Sequence, residues 1–328
     1  MSRYRNLALF LTLSVIWGTA YLAIDAGLAT LPPVLFAAFR YDVAGLALFA
    51  FAVVRSDRWR PRTFAEWRLV AVGGLLVIGL NFAFLFSGQR YVGGSIAAIV
   101  ASTAPVLTPL FARFLLPDER FDRRGIVGVL LGLAGVVVVA TGGGSLGADL
   151  LGVVLLALAA VSFALGTVLT ERYDASLSLI PTQAWMMLLG AGFLHLVSGL
   201  LGETPPLSVS WTPTAFAALA YLALVSSAVG YVLYFDLLDR LGAVEISLVK
   251  YVVPVVTALV GWAALGQSLS MDTVAGFALI VAGFALLKGG DAFDEVVRLQ
   301  ARVSRGYDAE NVYVPDSSAR RDAAFGDD

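Results

Sequence analysis

The chain is a succession of apolar runs, each close to the ~20 residues a helix needs to cross about 30 Å of hydrocarbon. Short polar breaks separate ten of them, at about 7–28, 33–54, 69–88, 93–116, 125–142, 149–170, 181–201, 214–236, 243–265 and 272–288. A bilayer core offers backbone groups no water, so runs of this kind must fold as helices. The expected fold is an all-α multi-pass membrane protein with ten transmembrane helices. Composition agrees: 14% of the 328 residues are charged and 59% hydrophobic, against about 25% and 45–50% in soluble domains. A net charge of −2 provides no basic field for nucleic acid. The chain has no cysteine, which removes disulfides, thiol nucleophiles and Cys-ligated metals. His195 is its one histidine, so no metal or other cofactor is expected.

The first run follows Met1-Ser2-Arg3-Tyr4-Arg5, a signal-like start. The run is too long for a signal peptide, carries Trp17 and lacks a small-residue cleavage site, so it is taken as a retained span. With the N-terminus in the cytoplasm, eighteen of the 22 Lys and Arg residues fall in inner segments. Five of these, Arg55, Arg58, Arg60, Arg62 and Arg68, stand together between the second and third runs. Outer segments hold only Arg90, while Arg40, Arg113 and Lys250 lie within spans. Positive charge stays inside, which places a cell-membrane protein with both termini cytoplasmic.

The chain contains itself twice. Five runs lie in 1–144 and five in 149–290, and the fourth of each set carries a proline, Pro105 and Pro254. The offset of 149 slips to 148 downstream, pairing Gly128 with Gly276 and Gly135 with Gly283. An odd number of spans per copy makes the second enter from the opposite side, giving two inverted-topology five-helix repeats. Both prolines are expected about 16 Å deep in mid-span, each freeing the carbonyl four residues earlier, at Ala101 and Lys250. A matched pair of this kind would shape a central cavity. Residues 291–328 hold nine acids against five arginines. They are expected to form a mostly disordered cytoplasmic tail, with a short helix near 291–304.

Polar groups inside spans are costly and therefore informative. Ser14, Trp17, Tyr21 and Asp25 share one face of the first span, and Ser227, Tyr231 and Tyr234 one face of the eighth. With Asn81, Lys250, Pro105 and Pro254 they are the expected substrate pathway; aromatic packing between helices is the other reading. Asp25, Arg40 and Asp42 are the intramembrane charges, candidates for coupling. Arg40 either snorkels or pairs with Asp25, and Asp42 is a candidate for proton binding or cargo contact. Lys250 either lines the cavity or pairs with Glu245 or Asp236. Gly128-x-x-x-Gly132 marks close helix packing.

Enzyme motifs are weak. Gly143-Gly144-Ser145-Leu146-Gly147 fits G-x-S-x-G only as part of a glycine-rich loop, and His195 is expected to be packed or interfacial. No catalytic residue is assigned. There is no H-E-x-x-H and no phosphate-binding G-x-x-x-x-G-K-[ST].

Trp17-Gly18, Arg40, Pro105 with Glu119-Arg120 and its following glycines, and Pro254 with Gly261-Trp262 through Leu265-Gly266-Gln267, occur in an order that resembles the EamA-type transporters of the drug/metabolite transporter superfamily. The resemblance spans about 7–290. It implies ten helices, a central cavity and movement of small metabolites, often export. Members usually carry glutamate where this chain has Gln267, so that carboxylate's role does not carry over. The expectation is a secondary transporter that exports a small organic metabolite or amphipathic compound by alternating access, with the two repeats as rocking halves. Its partners would be the cargo, the lipid bilayer, a coupling proton or ion, and a second copy in a candidate homodimer. A membrane-embedded hydrolase and a non-transporting sensor remain the alternatives.

Overall fold

The computed structural model describes residues 2–115, 123–141, 148–173, 176–205, 208–241, 249–267 and 269–286. These form one compact unit within Met1–Leu287; the tail, with the helix expected near 291–304, lies outside the described residues. Helix α1 is Ser2–Leu28 and α2 is Pro33–Arg55. Helix α3 has three parts: Phe64–Val72, a wide π segment Gly73–Leu80, and Asn81–Ala101. Then come α4 Ala104–Leu115, α5 Arg123–Thr141, α6 Ala148–Glu171 and α7 Leu179–Leu200. Helix α8 again has three parts: Pro213–Ala220, a π segment Tyr221–Val229, and Gly230–Leu241. Helices α9 Val249–Leu265 and α10 Met271–Leu286 complete the set. No described residue is in a strand. Six of these helices, α1, α2, α3, α6, α7 and α8, are long and apolar enough to cross a membrane, and α5, α9 and α10 supply shorter apolar stretches. The chain is a multi-pass membrane protein.

The helix ends are satisfied locally. Pro33 opens α2, where a missing N–H costs nothing. The next two donors, Val34 N and Leu35 N, give 3.0 and 2.8 Å bonds to the Glu203 carboxylate beyond α7, a favourable partner for a helix N-terminus. Thr63 and Glu66 form a capping box at the start of α3. Glu66 is fully buried; it also takes the Arg62 amide, the Arg58 guanidinium and the Ser176 hydroxyl. This cluster ties the α2–α3 connection to the segment preceding α7. Beside it Trp185 Nε1 donates to the Trp59 carbonyl at 2.9 Å.

The third and fourth apolar runs join without a loop. Gly93, at φ 72° and ψ 167°, breaks the helical path inside α3, a conformation that favours glycine. The fourth run then breaks again. Helix α3 ends at Ala101, and the Ser102 and Thr103 hydroxyls return to the Ile99 and Val100 carbonyls at 2.6 and 2.7 Å. Pro105 therefore stands in the first turn of α4, at a break inside the fourth run, where its missing N–H and ring stop the preceding helix from continuing. Pro109 is the proline inside α4, while Pro254 lies inside α9 as expected.

Helix α2 packs mainly on α7, α3 on α6 and α7, α1 on α8 and α9, and α4 on α6. Each of these contacts joins the first half of the sequence to the second. The halves are interleaved, so the expectation of two repeats rocking as separate bodies does not fit the packing. Glycines permit the close crossings. A Cβ on Gly135 would stand 2.5 Å from the Gly276 carbonyl, and one on Gly283 would stand 2.5 Å from that of Gly128. Gly132 also meets Gly283, so the Gly128-x-x-x-Gly132 stripe does pack a helix. Exchanging residues by the 148 offset turns the first contact into the second. The two π segments, Gly73–Leu80 and Tyr221–Val229, are separated by the same 148–149 residues.

Candidate functional site

A π segment pairs each carbonyl with the fifth residue on, and a return to α pairing leaves one carbonyl without its helical donor. At the end of the π segment in α8 the Ser226 carbonyl accepts Trp17 Nε1–H from α1 at 3.1 Å. The same widened turn presents two fully buried serine side chains to α2. Arg40 Nε donates to Ser227 Oγ at 3.0 Å and Arg40 Nη2 to Ser226 Oγ at 3.4 Å. The guanidinium carbon lies 5.2 Å from the Tyr41 ring centre and 5.1 Å from that of Phe82, within cation–π range. Tyr21, Tyr41 and Tyr231 all lie in its electrostatic neighbourhood. Arg40 is only 5% exposed. No described carboxylate lies within ion-pair distance of it.

The expected Arg40–Asp25 pair does not form, because Asp25 is needed elsewhere. The break at Gly93 strands the first N–H of the restarting helix, and Asp25 Oδ2 accepts it from Gly94 at 2.8 Å. Asp25 Oδ1 accepts from Gln89 Nε2 at 2.7 Å. A Cβ on Gly94 would press within 2.9 Å of both this carboxylate and the Tyr21 carbonyl, so the contact requires glycine.

A second cation sits one layer away. Lys250 Nζ lies 4.3 Å from the Phe163 ring centre and 5.5 Å from that of Trp17. Trp17 stacks on Tyr234 at 5.4 Å and meets Tyr231 edge-on at 5.9 Å. Asp236, one of the two carboxylates expected for Lys250, instead binds Arg240 at 2.7 Å; Glu245 lies outside the described residues. Trp17, Tyr21, Tyr231, Tyr234 and Lys250 are each half-buried. They form a polar and aromatic cluster where α1, α8 and α9 meet. Gly18 lets α1 and α9 meet beside it: a Cβ there would lie 2.6 Å from Val256. Thr257, one turn past Pro254, donates to the Gly18 carbonyl at 2.8 Å.

The other expected residues fall elsewhere. Ser14 is fully buried and returns its hydroxyl to the Phe10 carbonyl at 2.9 Å. Asn81 is buried just past the π segment of α3. Asp42 follows Arg40 by two residues, about 200° around a helix, so it faces away from the cluster. Its Oδ2 lies 2.6 Å from His195 Nε2 on α7, both side chains half-buried. The side chain of Arg113 and the 143–147 loop lie outside the described residues. Ser226, Tyr41, Phe82 and Phe163 were not singled out from sequence. The Ser226-Ser227 doublet inside an apolar run was a usable signal, and Tyr41 adjoins a conspicuous in-span arginine. No group of three His, Cys, Asp or Glu able to hold a metal occurs among the described residues.

Known proteins place this architecture. A solved structure described as "Crystal structure of protein" matches with a TM-score of 0.60 at 24% identity, over 86% of this chain and 97% of that one; this likeness speaks to fold alone. The inner membrane transporter YedA of Escherichia coli (strain K12), named as uncharacterized, is 30% identical over 82% of this chain and 87% of its own length. The uncharacterized transporter YvbV of Bacillus subtilis (strain 168) is 28% identical over 88% of this chain and 92% of its own length. Protein PecM of Dickeya dadantii (strain 3937) is 28% identical over 83% and 89%. The profile of the EamA-like transporter family matches twice, at residues 5–141 and 150–288. This membrane protein, with a buried arginine held by a π-widened helix, belongs to the EamA-like transporter family.

Proposed function

We propose that the chain is a ten-helix secondary transporter of two inverted repeats, exporting a small organic metabolite or amphipathic compound by alternating access. The polar and aromatic cluster of Trp17, Tyr21, Tyr231, Tyr234 and Lys250, with Arg40 beside it, carries this reading. Residues 1–144 and 149–290 are the two repeats. Support comes from the double family match, the π segments at one offset and the reciprocal glycine contacts. The topology with both termini cytoplasmic gains support from contacts between connections assigned to the same side: Glu203 with the start of α2, and Ser176 with Glu66.

The moving bodies are groups of helices drawn from both repeats, since that is how the helices pack. A bundle of α2, α3, α6 and α7 holds still while α1, α8 and α9 rock against it, opening the cavity to either side. Proton coupling is assigned to Asp42 and His195, where a carboxylate and the chain's one imidazole meet about 14 Å along α2 from its start.

The test is efflux from proteoliposomes loaded with a cellular metabolite extract and followed by mass spectrometry. A defined set of compounds should leave faster with the protein than without it. Identical efflux from empty liposomes, in both protein orientations and with either sign of pH gradient, would overturn the transport reading.

A further inference from the structure

Arg40 is a permanent cation, nine-tenths buried inside a span, and its neighbours give it dipoles and ring faces but no charge. A guanidinium has five N–H donors in a planar fork. Ser226 and Ser227 take one donor from Nη2 and the one on Nε. Three remain, two on Nη1 and one on Nη2, of which one from each nitrogen forms the end-on edge that binds a carboxylate bidentately. A group that is a cation at every accessible pH, in a low-dielectric site, calls for a counter-charge from somewhere. The carboxylates that the sequence offers nearby are committed: Asp25 to Gly94 and Gln89, Asp42 to His195, Asp236 to Arg240. Lys250 adds a second positive charge nearby, over the rings of Phe163 and of the same Trp17 that bonds the Ser226 carbonyl.

Resting on the transport reading above, we propose that the cargo supplies the missing charge: it is an organic anion with a flat, unsaturated or aromatic body. Its carboxylate, or an equivalent planar oxyanion, takes the open edge of Arg40. Its body lies against the outer faces of Trp17, Tyr231 and Tyr234, whose rings pack on one another into one aromatic cluster. Lys250 holds a second polar or anionic end. The two serines hold the guanidinium edge toward the cavity and would remain bonded when cargo leaves, so the arginine keeps its orientation in the empty carrier. A neutral amphipathic compound would fill the aromatic space and leave the cation uncompensated.

Two arms test this. The chain has no native cysteine, so Tyr231→Cys places one thiol in the cavity wall. Its labelling rates by a sulfonatoethyl and a trimethylammonioethyl thiosulfonate of similar size are compared, each normalised to a free thiol. The negative reagent should react about tenfold faster than the positive one. That ratio should fall several-fold with Arg40→Gln, Lys250 keeping the remainder, and persist with Arg40→Lys. A ratio at or below one with Arg40 present overturns the anion preference. The second arm sorts the compounds that leave wild-type proteoliposomes: they should be planar organic anions, and their efflux should fall at least tenfold with Arg40→Gln. Efflux of neutral or cationic compounds refutes the inference while transport stands. No protein-dependent efflux at all, with Tyr231→Cys inert to both reagents, removes the transport reading itself.

Discussion

The two π segments are the same defect put to different uses. In α3, Gly73, Gly74 and Gly79 press against Met186, Leu189 and Phe193 of α7, and Gly190 of α7 presses back on Ile78. Its spare polarity is small, with the Leu76 carbonyl taking the Ser162 hydroxyl of α6 at 2.8 Å. In α8, the corresponding widened turn carries Ser226 and Ser227, holds Arg40, and receives the indole of Trp17. One is closely packed, so that even a methyl group would be felt; the other borders Arg40 and the indole of Trp17. Two similar bends thus have different surroundings: small residues pack one, and hydroxyls with an arginine line the other.

The comparison breaks first at the serines. Replacing Ser226 and Ser227 together with alanine leaves the Arg40 donors without those acceptors, a loss that for hydrogen bonds to charged groups is about 1.5–3 kcal/mol each. Protein-dependent efflux should fall more than tenfold while the purified protein keeps its monodisperse profile in detergent. Unchanged efflux would make the α8 segment scaffold like its counterpart.

Membrane-spanning helices and the family pattern were legible in the sequence, because apolar length and motif order are one-dimensional signals. Arg40, Trp17, Tyr21, Tyr231 and Lys250 were legible as costly or aromatic in-span residues. Their partners were not. Which carboxylate serves which cation depends on helix rotation and on breaks such as Gly93, whose stranded amide claims Asp25. The π segments leave no compositional mark, so the step that aligns Ser226 and Ser227 with Arg40 was invisible.

Next in size is the scaffold counterpart. Gly190→Ala puts a Cβ 2.5 Å from Ile78 Cγ2 and 2.9 Å from the Gly74 carbonyl. Overpacking of this kind costs about 1–3 kcal/mol, so the melting temperature in detergent should drop by several degrees. Efflux per folded molecule should stay near wild type; a selective loss of transport would place the α3 segment in the pathway too.

Asp42→Asn separates coupling from cargo movement. Flux driven by a pH gradient should disappear, while exchange of labelled for unlabelled cargo at equal pH continues. Gradient-driven flux equal to wild type would assign the Asp42–His195 pair to helix packing.

The smallest effects come from the two donors that serve the π segments. Trp17→Phe keeps a ring beside Tyr234 but removes the indole N–H from the Ser226 carbonyl; Ser162→Ala removes the hydroxyl from Leu76. Each lost bond is worth about 1 kcal/mol. The first should appear as a few-fold change in apparent cargo affinity, the second as a small fall in melting temperature. The reverse pattern would invert the roles assigned to the two regions.

The most direct measurement is water access at one position in each region. Lys250→Cys and Ile78→Cys, made separately in this cysteine-free chain, are exposed in native membranes to a small water-soluble thiol reagent. Lys250→Cys should label, and labelling should slow when the effluxed compounds are added. Ile78→Cys, at a side chain only 1% exposed beside the packed π segment, should stay unlabelled until the protein is denatured. An inert Lys250→Cys, or equal labelling at the two positions, would contradict the account.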